Sequence, residues 1–304
     1  MGSRQILIDM LQAAKESGAT HAKIQGLYSH ELTFRPEFEN PSSSYYRPYR
    51  AEVERLGKLD LDEATESWFV ENSLALKLIP MITVFTHSGA TRAKEAGFRS
   101  IKIASYDCAS WSLIDSVMEF AAEIVVSTGA TKWSDVARTA KKLIEFETGG
   151  KRAALLHART LYPCTSELTN LSRMNALKVF GLPIGFSDHS RPAVEGLFAA
   201  KLAMLLGADY IERHFTILGD KETKDGPVSV NPCQLKELSQ FANLDHERKL
   251  LELTLSPEDF QLFLGNSELE PNETEQTNAK YYRGRVASQI NGKTVFSWEK
   301  VGKQ

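Results

Sequence analysis

His189 in "PIGFSDHS" and His214 in "YIERHFT" each close an apolar run of strand length. Side chains alternate along a strand, so Ser187 and His189 share one face, as do Glu212 and His214. Imidazoles at the tips of neighbouring parallel strands can share one divalent cation, which points to metal-assisted chemistry at the mouth of an α/β barrel. Lysines add to the pattern. Lys23 and Gln25 share a face of "THAKIQ", and Lys102 sits inside the apolar run "SIKIAS". A lysine there is costly unless an anion or carboxylate meets it. Two of them, with Thr83, Ser105, Ser127 and Ser187 at strand ends and Asp107 and Tyr162 at or just past them, predict a phosphate or carboxylate ligand. The other reading of each lysine is a structural ion pair. "STGAT" (127–131) precedes a helix, so its hydroxyls and amides suit either a phosphate or ordinary capping. Asp188 and Glu212, beside the histidines, are candidates to orient the rings or add a ligand. His157 reads as a hydrogen-bonded core residue.

Strand candidates are 20–25, 79–85, 100–105, 123–129, 153–158, 184–189 and 210–216; helix candidates are 4–17, 62–78, 88–96, 112–122, 132–147, 170–180, 191–206 and 232–250. Such alternation predicts a parallel sheet. Eight strand–helix units close a (β/α)8 TIM barrel, so the expected fold is that barrel with the strand before the first helix missing from this chain. An open version leaves two unpaired edges, so either sequence precedes Met1 or another segment fills the gap. Two stretches stand outside the repeat. Residues 27–60, rich in aromatics, Arg and Pro, form a long loop on the catalytic face, read either as a lid or substrate wall or as a disordered surface insertion. The barrel is expected over 1–254. Residues 255–304 read as a helix at "SPEDFQLFLG", an acidic linker (266–279) and a strand–turn unit with "NG" at its turn.

The 304 residues are 42% hydrophobic and 25% charged with net charge -3, an ordinary globular composition with no nucleic-acid or anionic-membrane signature. No apolar run is long enough to cross a bilayer, and the N-terminus lacks a signal-peptide core. Cys108, Cys164 and Cys233 have no metal-ligand spacing and read as reduced thiols of a cytoplasmic protein.

The strings "KIAS", "VVSTGAT", "LLHARTLYP", "GFSDHS", "GADYIERHFT" and "DGPVSVNP" occur in the order and spacing of the sialic acid synthase family, which they resemble over most of residues 1–250. Members, the N-acetylneuraminate, legionaminate and pseudaminate synthases, condense phosphoenolpyruvate with an N-acylated hexose. The resemblance implies a barrel using Mn2+ or Mg2+ on His189 and His214. It implies phosphoenolpyruvate contacts at Lys23, Thr83, Lys102, Ser105, Ser127 and Ser187. Gln25 and Tyr162 match positions on the sugar or metal side, and Asp107 lies near an acidic family position, so these three are the catalytic candidates. Thr160 stands where the family often has Asn. The expected partners are these small molecules, with room for a homodimer and none for nucleic acid or membrane.

Three departures are visible. Met1-Gly2-Ser3 resembles a Gly-Ser stretch that follows the family's first strand, so Met1 reads as internal to a longer chain. The family's "GPD" carboxylate, which contacts the sugar, is Val228 here, with Asp225 nearby as substitute. Of the C-terminal antifreeze-like domain only an opening-like segment (282–301) is present. The implied chemistry is metal polarisation of an aldehyde, attack by the enol carbon, water addition and phosphate loss. Two rivals share the barrel: an imine-forming lyase or aldolase on Lys23 or Lys102, and a sugar-binding remnant without catalysis.

Overall fold

A computed structural model describes residues 3–43, 45–219, 221–254 and 256–301. Met1 and Gly2, on which the reading of an internal start rests, lie outside the described residues, as do Leu255 and residues 302–304 of the tail. The chain opens with α1 (Arg4–Glu16) and β1 (His21–Gly26), then α2 (Tyr49–Gly57) and α3 (Glu63–Ala75). Next come β2 (Ile79–Val84), α4 (His87–Glu95), β3 (Ser100–Ile103), α5 (Trp111–Met118), β4 (Glu123–Ser127) and α6 (Trp133–Thr148). They continue through β5 (Arg152–Ala158), α7 (Ser172–Leu177), β6 (Ile184–Asp188), α8 (Pro192–Glu195), α9 (Phe198–Leu205) and β7 (Tyr210–Arg213). Beyond the sheet follow α10 (Pro232–Ala242), α11 (His246–Glu252), α12 (Pro257–Leu264), α13 (Glu273–Tyr282) and a hairpin of β8 (Ser288–Ile290) and β9 (Lys293–Val295).

All seven expected strands are present, parallel and in sequential order from β1 to β7. Their alternation sorts the side chains. Ile82, Ile101, Ile124 and Leu155 face outward into one core with the helices, each worth roughly 1.5–3 kcal/mol when fully buried. Met81, Val125, Ala154 and Leu156 form a separate interior cluster with Tyr210 packed against it. Contacts across that interior show that the sheet is curled. Lys102 of β3 reaches Glu212 of β7, and Glu123 of β4 meets both His21 of β1 and Tyr210 of β7. Strands this far apart in sheet order touch only when the sheet wraps round on itself. Gly185 lets the wall close: a Cβ there would stand 2.3 Å from the Tyr210 carbonyl oxygen and 2.6 Å from a Leu156 methyl.

The gap lies between β1 and β7, and no described strand fills it. Helices span it from outside. Ser17 donates to the carbonyl of Pro232, and Ser239 to that of Gly18. Gly18, at φ +87°, ends α1 where a side chain would meet the Ser239 hydroxyl at 2.1 Å.

Three expectations need correction. The predicted helices over 191–206 and 232–250 are each broken in two, the first at Gly196 with φ +61°. Residues 27–60 are not a free loop: they contain α2 and are fastened to the tail by Thr33 N–H donating to Arg285 and by the Arg285–Glu52 pair. The expected acidic linker (266–279) contains most of α13, capped by Asn272 and Glu275 in a reciprocal box. The Asn291-Gly292 turn does join β8 to β9, both residues at positive φ.

Candidate active site

The carboxyl ends of β1 to β7 converge on one mouth, and the strand alternation decides what enters it. His189, directly after β6, is 5% exposed. Its Nδ1 lies 2.8 Å from the Arg159 carbonyl, so that nitrogen carries the proton and Nε2 keeps its lone pair. Nε2 faces the Tyr162 hydroxyl at 3.1 Å and the Ser187 hydroxyl at 3.3 Å. The His214 ring stands 5.6 Å away, centroid to centroid, and Tyr162 packs on both rings. Burial, and then the neighbouring imidazole, lower the His189 pKa to about 4. Burial and the Lys23 ammonium do the same for His214, also to about 4. Both rings are therefore neutral at pH 7, the form that ligates a cation.

One layer deeper lies the charge. Lys102, 3% exposed, is met by Glu212 at 2.6 Å, and Ser187 donates to the other oxygen of that carboxylate at 2.9 Å. Burial lowers the Lys102 pKa and Glu212 opposes it. Burial alone would raise Glu212, but Lys102 and Lys23 hold it well below the usual carboxylate range. Lys23 donates to the Thr83 hydroxyl at 3.4 Å. Two ammoniums against one carboxylate leave this interior one positive charge in excess.

The residues present fit a cation. Two neutral imidazoles face each other, one with its tautomer fixed from behind, and the mouth beside them is open, with Tyr162 53% exposed. Among the described residues no cluster of three or more His, Cys, Asp or Glu is placed to hold a metal; a cation at this mouth would meet the two imidazoles.

Residues 10–247 match the NeuB family. The chain belongs to the NeuB family. Among relatives, an uncharacterised protein of Methanocaldococcus jannaschii is 28% identical over 76% of this chain and 63% of its own length. The N,N'-diacetyllegionaminic acid synthase of Campylobacter jejuni is 24% identical over 78% of this chain and 70% of its own. The chain thus spans less than two thirds of the first relative. A crystal structure of the N-acetylneuraminic acid synthetase of Leptospira borgpetersenii, in complex with citrate, shares the fold with a TM-score of 0.68, at 24% identity over 92% of this chain and 86% of that one.

Within this NeuB-family barrel the sequence-predicted residues divide. Lys23, Thr83, Lys102, Ser187, Tyr162, His189 and His214 are linked by the contacts above. Ser105 and Ser127 are buried, Ser105 beside Gly129, where an added Cβ would lie 3.0 Å from its hydroxyl. Gln25, one residue before the end of β1, is exposed beside the gap, and its side chain makes no hydrogen bond among the described residues. Asp107 meets the tail. Its carboxylate accepts from Ser110 and from Ser297 of the tail, and burial pushes its pKa up to about 6. In "STGAT" the contacts of the threonines are structural. Thr128 and Thr131 bond to backbone carbonyls, Arg173 clamps Thr128, and the first amide of α6 donates to Glu270. Its threonines act structurally, leaving Ser127 free of that role.

Asp188 turns to the outer face, where it pairs with Arg213. His157 Nε2 donates to the Thr169 carbonyl at 2.8 Å, and its ring stacks on Phe186 in the core. Val228 is buried, whereas the Asp225 carboxylate lies 3.6 Å from His214. The role of Glu212 as partner to Lys102 was missed, although its position two before His214 put it on the inner face.

Proposed function

We propose that this chain condenses phosphoenolpyruvate with the aldehyde of an N-acylated hexose, giving a nonulosonic (sialic-type) acid and inorganic phosphate, with Mn2+ or Mg2+ held by His189 and His214. The observation that carries this reading is the meeting of two neutral imidazoles and a net-positive lysine interior in one mouth. Phosphoenolpyruvate brings a carboxylate and a phosphate, together roughly -2.5 to -3. One excess positive charge and a divalent cation balance it; either alone does not. The synthase names carried by family relatives, for diacetyllegionaminic and pseudaminic acids, support the same reading.

When bound, the cation would supply Lewis acidity at the aldehyde oxygen. Lys23 and Lys102, with the hydroxyls of Thr83, Ser105, Ser127 and Ser187, hold the phosphate and carboxylate so that the methylene carbon faces the aldehyde carbon. The enol π electrons form the carbon–carbon bond while the aldehyde oxygen takes up a proton. The cationic centre left at the enol carbon is stabilised by the substrate's own carboxylate. Water adds there, and the ketone forms as the carbon–oxygen bond to phosphate breaks. Of the water's two protons, one ends on the new hydroxyl and one on phosphate. Tyr162, whose hydroxyl lies 3.1 Å from His189, is the hydroxyl donor nearest this chemistry. Asp225 offers a carboxylate to the sugar hydroxyls in place of the family's aspartate. Asp107, held by Ser110 and Ser297 of the tail, is given no part in this proton transfer.

The test is phosphate release from phosphoenolpyruvate over a panel of N-acylated hexoses. Release with at least one sugar, lost on chelation and in His189→Ala and His214→Ala, is expected. Chelator-insensitive turnover with a borohydride-trapped lysine adduct would assign imine chemistry instead, and no release with any sugar would leave a binding protein.

A further inference from the structure

His189 can offer Nε2 to a cation only while Nδ1 holds the proton, and the Arg159 carbonyl decides that at 2.8 Å. Arg159 opens an irregular stretch after β5, so strand pairing does not fix its carbonyl. Helix α13 does. Glu275, 1% exposed, meets the Arg159 guanidinium at 3.1 Å through Oε2. Its Oε1 accepts from the Thr160 amide at 3.0 Å and the Thr160 hydroxyl at 3.3 Å. Asn278, one turn further along α13, donates to the Thr160 carbonyl at 3.3 Å. The same Glu275 caps its own helix by accepting from the Asn272 amide at 3.2 Å. Arg159 is 6% exposed with its Nε unpartnered, and Glu275 is the carboxylate within ion-pairing reach among the described residues.

We infer that Glu275 is a positioning residue for metal ligation: it locks Arg159 and Thr160, and through the Arg159 carbonyl it keeps His189 in the Nδ1–H tautomer with Nε2 turned to the mouth. The inference rests on the proposed metal role of His189, but its tautomer half stands on the apo protein alone. The competing role is a mere anchor for the tail. A second, independent anchor separates the two: His87 Nε2 donates to the Glu299 carbonyl at 3.1 Å, further along the same tail. Its proton reports whether the tail is seated; the His189 proton reports whether the loop is held.

The experiment compares wild type with Glu275→Gln and Asn278→Ala in the full chain. Nitrogen-edited NMR follows exchange of the two imidazole protons, and Mn2+ affinity is read from free Mn2+ by electron paramagnetic resonance. In Glu275→Gln the His189 Nδ1 proton should exchange at least about tenfold faster, the effect of losing one charge-assisted hydrogen bond, while His87 is unchanged. The Mn2+ dissociation constant should rise about 10- to 100-fold, as when an outer partner of a ligating histidine is lost. Asn278→Ala removes only one neutral hydrogen bond and should move both readouts the same way by less, which keeps the test decisive if the first variant folds poorly. Unchanged His189 exchange with Mn2+ affinity within about twofold of wild type overturns the inference. So does joint loss of the His189 and His87 protons, which would make Glu275 an anchor. If wild type binds no Mn2+, the metal reading fails separately, and exchange alone upholds or overturns the tautomer role.

Discussion

Glu212→Gln is the sharpest perturbation of the lysine interior. It keeps side-chain size but removes the one carboxylate that meets Lys102, an ammonium 3% exposed. Breaking one partner out of a buried pair costs about 3–5 kcal/mol. Glu212 retains 22% exposure, which favours the low end, about 3 kcal/mol. At this chain length that corresponds to a fall in Tm of about 6 °C, at about 2 °C per kcal/mol. With Glu212 gone, burial and Lys23 lower the Lys102 pKa unopposed. Below 10.5 the unfolded chain then binds a proton that the folded chain resists, so the variant's stability should rise with pH and fall as pH drops. Added anion should supply the missing charge: phosphoenolpyruvate at about 100 times its dissociation constant restores about 2.7 kcal/mol. Thermal melts in a phosphate-free buffer, with and without phosphoenolpyruvate, read all three effects. A variant melting within about 1 °C of wild type, or one that anions do not rescue, refutes the reasoning.

Two further outcomes follow. Burial holds His157 down to about 3, so between pH 6.5 and 5 the unfolded chain binds the extra proton and stability falls with acid; His157→Asn, which can still donate to Thr169, should make the dependence of Tm on pH shallower in that window by one proton's share, His189 and His214 keeping theirs. Asp188→Asn should destabilise by about 3–5 kcal/mol by stranding buried Arg213, yet leave Mn2+ affinity unchanged, which calorimetry would show, because this pair faces away from the mouth.

The strands were legible because each is a short apolar run punctuated by helical pattern, and inward positions followed from alternation. That is why Lys23, Lys102, Ser187, His189 and His214 were found together. What escaped reading depends on buried polar contacts. Helix α13 looked like a linker because the residues it buries include Glu275, whose burial is stabilised by Arg159 and Thr160, both more than a hundred positions earlier in the chain. Asp107 lies after a strand end like the site residues, but a hydroxyl from Ser297 captures it, a contact no local pattern announces. Glu212 was weighed as a ring partner; its bond to Lys102 needs the curl of the sheet, which brings β3 opposite β7. The uneven count of strands and helices appears as the gap between β1 and β7, which no described strand fills.

The central claim is that His189 and His214 share one cation beside the lysines. Crystals grown with Mn2+ and measured at its absorption edge test it directly. The account predicts an anomalous peak within coordinating distance of both His189 Nε2 and a ring nitrogen of His214. Anomalous signal elsewhere in the chain, with none between these two rings, would contradict it.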